Sequence, residues 1–250
     1  LSDPSGMSRQ SRRASLDALN KLNEMELKQV GDPETATRIS QYELAYRMQM
    51  TVPEVTDISK EPNHILDMYG AKPGESSFAR NCLLARRMVE QGVRYVQLYD
   101  WGWDIHGTNP GDDLMTAFPR KCKDVDQAAS ALIKDLKQRG LFDETLIVYG
   151  GEFGRKPVRD RNGGDNPGRD HNSKAFTTVL AGGGVKGGVT YGATDDYGYK
   201  AVENKATIHD LHATILHLLG INHEHLTFRF SGRDIRLTDV HGEVLRAILS

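Results

Sequence analysis

Carboxylates and imidazoles gather at short spacing in three places along this chain: Asp100, Asp104 and His106, then Glu152, then Asp170 with His171. Oxygen and imidazole nitrogen donors together suit a divalent cation such as Zn²⁺ or Mn²⁺. Taken singly, each has an ordinary reading: Asp104-Ile105-His106 as a turn with a capping Asp, Glu152 as a solvated loop residue. The stretch from 151 to 174 adds Arg155, Lys156, Arg159, Arg161, Arg169 and Lys174 against Glu152, Asp160, Asp165 and Asp170, a surplus of two positive charges in a chain whose formal net charge is −2. Arginine forks beside a cation match the oxygens of phosphate or sulfate, which makes Arg155 and Arg169 candidate substrate ligands. Five histidines, His209, His212, His217, His223 and His225, fall close together. His209 and His212 share a helix face and could hold a metal, but the full apolar stripe of that helix assigns these two to packing and capping. No GxSxG elbow is present. The glycine-rich run from Ala181 to Gly188 lacks the GxxxxGK[ST] spacing of a phosphate cradle and reads as a strand-end turn.

For such residues to meet, separate loops must converge, and the pattern of elements supplies a way. Leu16, Leu19, Leu22 and Met25 form one helical stripe, Gly31 ends it, Asp32 caps a second helix, and Ile39, Tyr42, Tyr46 and Met50 continue there. This predicts a helical hairpin, followed by a connecting segment marked by Pro53, Pro62 and Lys72-Pro73-Gly74. Beyond it, Ser76 or Ser77 caps a helix to Gln91, Val93 to Tyr99 reads as a strand, Lys123 to Arg139 as a helix, Thr145 to Tyr149 and Phe176 to Ala181 as strands, and Thr207 opens a helix ending at Gly220. Strand, crossover helix and strand predict a parallel pair. The expected fold is therefore α/β, a mostly parallel sheet flanked by helices, with a helical hairpin and connecting segment over 1–75 and the α/β domain over 76–250. Thirteen of the 25 glycines lie between Gly150 and Gly198, in the loops after strands where such a sheet places ligands. The polar stretch from Gly151 to Ser173 reads as one long functional loop.

Composition sets bounds on this reading. Near balance of 32 basic and 34 acidic residues argues against a dedicated nucleic-acid-binding domain, and 38% apolar residues suit a globular core. No run approaches the roughly 20 apolar residues of a membrane helix. Cys82 and Cys122 have no metal-type spacing. Leu1 in place of a start methionine reads as a processed product or a fragment.

Five segments, Gly102-Trp103-Asp104-Ile105-His106-Gly107, Gly150-Gly151-Glu152-Phe153-Gly154-Arg155, Gly168-Arg169-Asp170-His171, the Ala181 to Gly188 run and Asp210 to Gly220, occur in an order that resembles the bacterial domain of unknown function 1501 family from about Glu43 to the C-terminus. That family is similar to the carboxy-terminal half of the alkaline phosphatase and sulfatase superfamily of α/β metallohydrolases. The resemblance implies that Asp104, or Asp100 in its place, pairs with His106 on a metal, that Glu152 takes the acidic position of the next pair, and that His171 is a later ligand. Phe153 stands where that next pair has its histidine. The superfamily's nucleophile follows the first strand of its sheet, and residues 1–75 contain no such strand. The resemblance thus implies a carboxy-terminal portion of a metal-dependent phosphate or sulfate ester hydrolase without its nucleophile segment. The alternative is a non-catalytic binding or structural module derived from the same fold. The implied cofactor is Zn²⁺, Mn²⁺, Mg²⁺ or Ca²⁺, the implied partner an anionic small-molecule or glycan ester, and the resemblance suggests export or a periplasmic location.

Overall fold

A computed structural model describes residues 6–109, 111–160 and 165–250; the side chain of Met50 and the whole of Arg161 lie outside that set. The chain forms two compact units, Leu1–Val96 and Gln97–Ser250. No helix among the described residues is long and apolar enough to cross a membrane.

The first unit is helical. Helix α1 (Arg9–Val30) starts on the Ser8 side chain and stops at Gly31, which takes the left-handed conformation that costs a residue without a side chain little. Helix α2 (Pro33–Thr56) starts at once, with the Asp32 carboxylate accepting from the Glu34 N–H. Arg13 of α1 grips Glu43 of α2 through both guanidinium nitrogens, at 3.0 and 2.6 Å, and lies over the Tyr46 ring. Of the α1 stripe only Leu16 is buried, whereas Leu22 and Met25 face solvent.

The connecting segment expected after Pro53 is α-helical in two places, with a 3₁₀ turn, Ile58–Lys60, between them. α2 runs through Pro53 to Thr56, and α3 (Asn63–Tyr69) follows. Arg87 accounts for the first: its Nε and Nη2 donate to the terminal carbonyls of Val55 and Glu54 at 2.7 and 2.8 Å, satisfying acceptors that a helix end leaves open. Ile65 and Tyr69, both buried, account for the second. Helix α4 (Phe78–Glu90) is capped by Ser77 as its sequence requires.

The second unit departs from the expected architecture. Its described residues form α5 (Ala117–Gln138), α6 (Ile208–Leu218) and eight short strands: β1 (Ile147–Tyr149), β2 (Gly154–Arg159), β3 (Arg169–Asn172), β4 (Val179–Ala181), β5 (Ala193–Thr194), β6 (Ala201–Glu203), β7 (Thr227–Phe230) and β8 (Arg233–Arg236). They pair as β1-β4, β2-β3, β5-β6 and β7-β8, every pair antiparallel. This overturns the mostly parallel, alkaline-phosphatase-like sheet. A parallel strand is buried on both faces by its crossover helices, yet Val148, Tyr149 and Val179 remain 43%, 47% and 55% exposed. Val93 to Tyr99, read as the neighbouring strand, forms no ladder. The polar stretch after Gly151 is not a single loop either, since it holds the β2-β3 hairpin. α5 begins six residues earlier than its apolar stripe suggests, and α6 opens on a capping box between Thr207 and Asp210.

Candidate metal centre

The site is built where an irregular segment, 100–108, meets the β2-β3 hairpin. Buried Ile105 anchors the segment, and its carbonyl accepts from the Arg169 N–H at the start of β3, at 3.2 Å. Two glycines allow this approach. A Cβ on Gly168 would lie 1.9 Å from the carbonyl carbon and oxygen of His106, and one on Gly107 would lie 2.6 Å from the Asn166 oxygen. On the hairpin, Arg155 of β2 sits directly across from His171 of β3, and such a cross-strand pair shares one face. Buried Asn172 next to His171 donates to the Tyr199 carbonyl at 3.0 Å, which fixes that end of β3.

Three side chains converge. Asp104 Oδ1 lies 2.7 Å from His171 Nε2 and 3.0 Å from His106 Nε2, and the two Nε2 atoms are 3.2 Å apart. Ligands bound to tetrahedral zinc at roughly 2.0–2.1 Å stand about 3.3 Å from one another, so the three atoms would have to move apart by a few tenths of an ångström to share such a cation. The donor set of one carboxylate and two imidazoles fits Zn²⁺ or Mn²⁺ better than Ca²⁺ or Mg²⁺, which take mostly oxygen. Behind His106, its Nδ1 meets the buried carboxylate of Asp160 at 2.8 Å. In front, Arg155 Nη2 donates to Asp104 Oδ1 at 2.6 Å and to the Trp103 carbonyl at 3.1 Å, while Nη1 donates to the Arg169 carbonyl at 3.2 Å. Hydrogen bonds from His171 and then Arg155 hold the Asp104 carboxyl well below the usual carboxylate range. The bond to Asp160 pushes the His106 imidazole up, aided by the charge of Asp104 and opposed by partial burial.

The other residues selected from the sequence are placed differently. Among the described residues the groups of close metal-type ligand atoms are Asp104, His106 and His171, and His106, Asp160 and Asp170; neither includes Asp100 or Glu152. Asp100 accepts from Trp103 Nε1 at 2.7 Å and from Lys121 Nζ at 2.9 Å, which makes it a brace for the segment. Glu152 is exposed. Asp170 accepts from the Lys156 ammonium, which holds its carboxyl below the ordinary range, and from the His171 N–H at 2.7 Å. Arg169 enters the site through its main chain. In the sequence Asp160 is one charge of the basic stretch and carries no mark of its contact with His106.

A model of the family described as "protein of unknown function (DUF1501)" matches residues 1–249. The chain belongs to the DUF1501 family. The match takes in both helices of the N-terminal hairpin, which the resemblance starting near Glu43 left partly outside. No curated protein and no solved structure gives a significant match. In this DUF1501 chain Phe153 has a visible use: its ring packs on that of His171, centroids 4.3 Å apart and tilted by 40°. An aromatic pair contributes roughly 0.5–1.5 kcal/mol. If Asp104, His106 and His171 hold a cation, as proposed below, Phe153→Ala is expected to weaken its binding about two- to tenfold by freeing the His171 ring, as calorimetry would read, while Phe153→Tyr retains it.

Proposed function

We propose that this DUF1501 protein binds one divalent cation through Asp104, His106 and His171 and hydrolyses a phosphate or sulfate ester held against Arg155. The observation that carries the reading is the meeting of two imidazole Nε2 atoms and one carboxylate oxygen on one point. The likeness to the alkaline phosphatase and sulfatase superfamily is proposed at the level of this chemistry.

A bound divalent cation supplies Lewis acidity and brings the pKa of coordinated water towards 7. Arg155 is held by two main-chain carbonyls as well as by Asp104, so its fork keeps its place when an ester oxygen arrives. A guanidinium beside a cation repels it, and an anion shared between the two removes that repulsion, which favours a phosphoryl or sulfuryl group at this position. Asp104 and His171 are open to solvent, leaving a side for substrate. Among the described residues no serine, threonine or cysteine hydrogen-bonds to the three ligands, so the attacking oxygen is assigned to water.

Calorimetry with Zn²⁺ and Mn²⁺ tests the first half. One cation per chain is expected, with affinity lowered at least about 100-fold in His171→Ala; equal affinity in the variant defeats the proposal. Hydrolysis of p-nitrophenyl phosphate, its bis-ester and the sulfate by the loaded protein tests the second half. Binding without turnover that depends on His171 supports the second reading, a non-catalytic binding module, which the Arg155 to Asp104 ion pair favours by already supplying a positive charge to that carboxylate.

A further inference from the structure

We infer that Asp160 is a positioning residue, whose buried carboxylate holds His106 as the Nδ1–H tautomer and so turns the Nε2 lone pair towards Asp104 and His171. The inference rests on the proposed cation site for what the lone pair is turned towards, but the tautomer itself can be read without any cation.

An ionised carboxylate only accepts hydrogen bonds. At 2.8 Å from Asp160 Oδ2, His106 Nδ1 is therefore the donor, and a neutral imidazole has no second hydrogen for Nε2. On that other side stand Asp104 Oδ1 at 3.0 Å, His171 Nε2 at 3.2 Å and Arg155 Nη1 at 3.4 Å. A histidine backed by a carboxylate on one nitrogen and facing other donors with the second is the arrangement that raises ligand basicity and fixes ring orientation at metal sites. Asp160 is well placed to impose it. Its side chain is 7% exposed, and its N–H donates to the Gly168 carbonyl at 3.0 Å. Gly168 is the residue packed against the main chain of His106, so carboxylate and imidazole are referenced to the same piece of backbone. Asp170, grouped with His106 and Asp160 by ligand-atom distance, is itself engaged by Lys156 and by the His171 N–H, and the hydrogen bond that Nδ1 makes is the one to Asp160.

The test is long-range ¹H–¹⁵N correlation of histidine-labelled, cation-free chain at pH 9, with the His106 signals assigned from His106→Gln. Wild type is expected to show the Nδ1–H tautomer at His106. Asp160→Ala is expected to revert it to Nε2–H, with folding checked by circular dichroism. Asp160→Asn, close to isosteric, guards against loss of fold in the alanine variant. Its amide is expected to leave a mixture of tautomers, and Zn²⁺ affinity is expected to fall 10- to 100-fold. Wild-type His106 in the Nε2–H form, or a tautomer unchanged in Asp160→Asn and Asp160→Ala, overturns the inference. An Nδ1–H tautomer that depends on Asp160 in a chain that takes up no cation upholds the positioning role and defeats the metal reading alone. Two cations per chain, the second beside Asp160 and Asp170, would overturn the inference by making Asp160 a ligand.

Discussion

Gly168→Val is expected to dismantle the proposed cation site, lowering the Zn²⁺ affinity proposed for it by more than about 100-fold, and to destabilise the protein by roughly 1–3 kcal/mol through overpacking. The reason is steric. Any Cβ at this position lies 1.9 Å from the His106 carbonyl and 2.3 Å from the Gly107 nitrogen, and these are main-chain atoms that cannot rotate away. Either the segment around His106 or the end of the β2-β3 connection must retreat. The hydrogen bond that ties the two, Arg169 N–H to the Ile105 carbonyl, then stretches from 3.2 Å, and the Asp160 N–H to Gly168 carbonyl bond within the hairpin, 3.0 Å, is strained with it. His106 would lose its distance to His171 and to Asp160 together. Gly168→Ala is expected to do the same to a lesser degree. Gly187→Ala is the control, because a Cβ there meets nothing within 4 Å. Calorimetric affinity and thermal midpoint read both effects, and Gly168→Val with wild-type affinity would show that the close approach does not hold the ligands.

The three side chains of the proposed cation site are legible in the sequence as residue types, and their neighbours are not. Asp104, His106 and His171 stand out because imidazoles beside acids in a glycine-rich stretch have few structural uses. Asp160, between Arg159 and Arg161, looks like one charge in a solvated run, and only its burial against His106 separates it from Asp165. Asp100 and Glu152 look equally suitable in sequence. Lys121, twenty-one residues from Asp100, takes that carboxylate, a pairing no local pattern reveals. The helix starts at Ser77, Asp32 and Thr207 were readable because a cap acts within three residues. The sheet was misread for a related reason. Short apolar runs such as Val93 to Tyr99 and Phe176 to Ala181 carry no statement of their partner, and periodicity alone does not distinguish a buried parallel strand from an exposed one. The β7-β8 hairpin did carry a local mark, alternating Phe228 and Phe230 before a two-residue Ser231-Gly232 turn with φ of 50° and 82°, as tight hairpins require.

In the first unit the largest effect is expected from Glu61→Ala, about 3–5 kcal/mol, the usual cost of removing one partner of a buried ion pair. Glu61 accepts from Arg86 Nη2 at 2.7 Å and from Arg87 Nη1, while Arg86, only 2% exposed, also donates to Glu90 at 2.6 Å. Without Glu61, buried Arg86 loses one carboxylate and keeps that of Glu90, and Arg87 loses the contact that steadies its hold on the end of α2. Glu61→Gln retains an acceptor and is expected to cost less. The pH dependence separates charge from shape. Burial alone would raise the Glu61 pKa, but the hydrogen bonds from Arg86 and Arg87 outweigh it and hold the carboxyl below its ordinary value. A carboxyl with a depressed folded pKa binds fewer protons folded than unfolded, so its contribution is complete above the unfolded value of roughly 4.3 and is lost as pH falls through the folded value. Urea titrations followed by circular dichroism at 222 nm, at pH 7 and at stepped values below pH 4.5, should show wild type losing stability on the acid side more steeply than Glu61→Gln. Parallel acid slopes would show that Glu61 is protonated at the same pH folded and unfolded, and that the arginines hold it by shape rather than by charge.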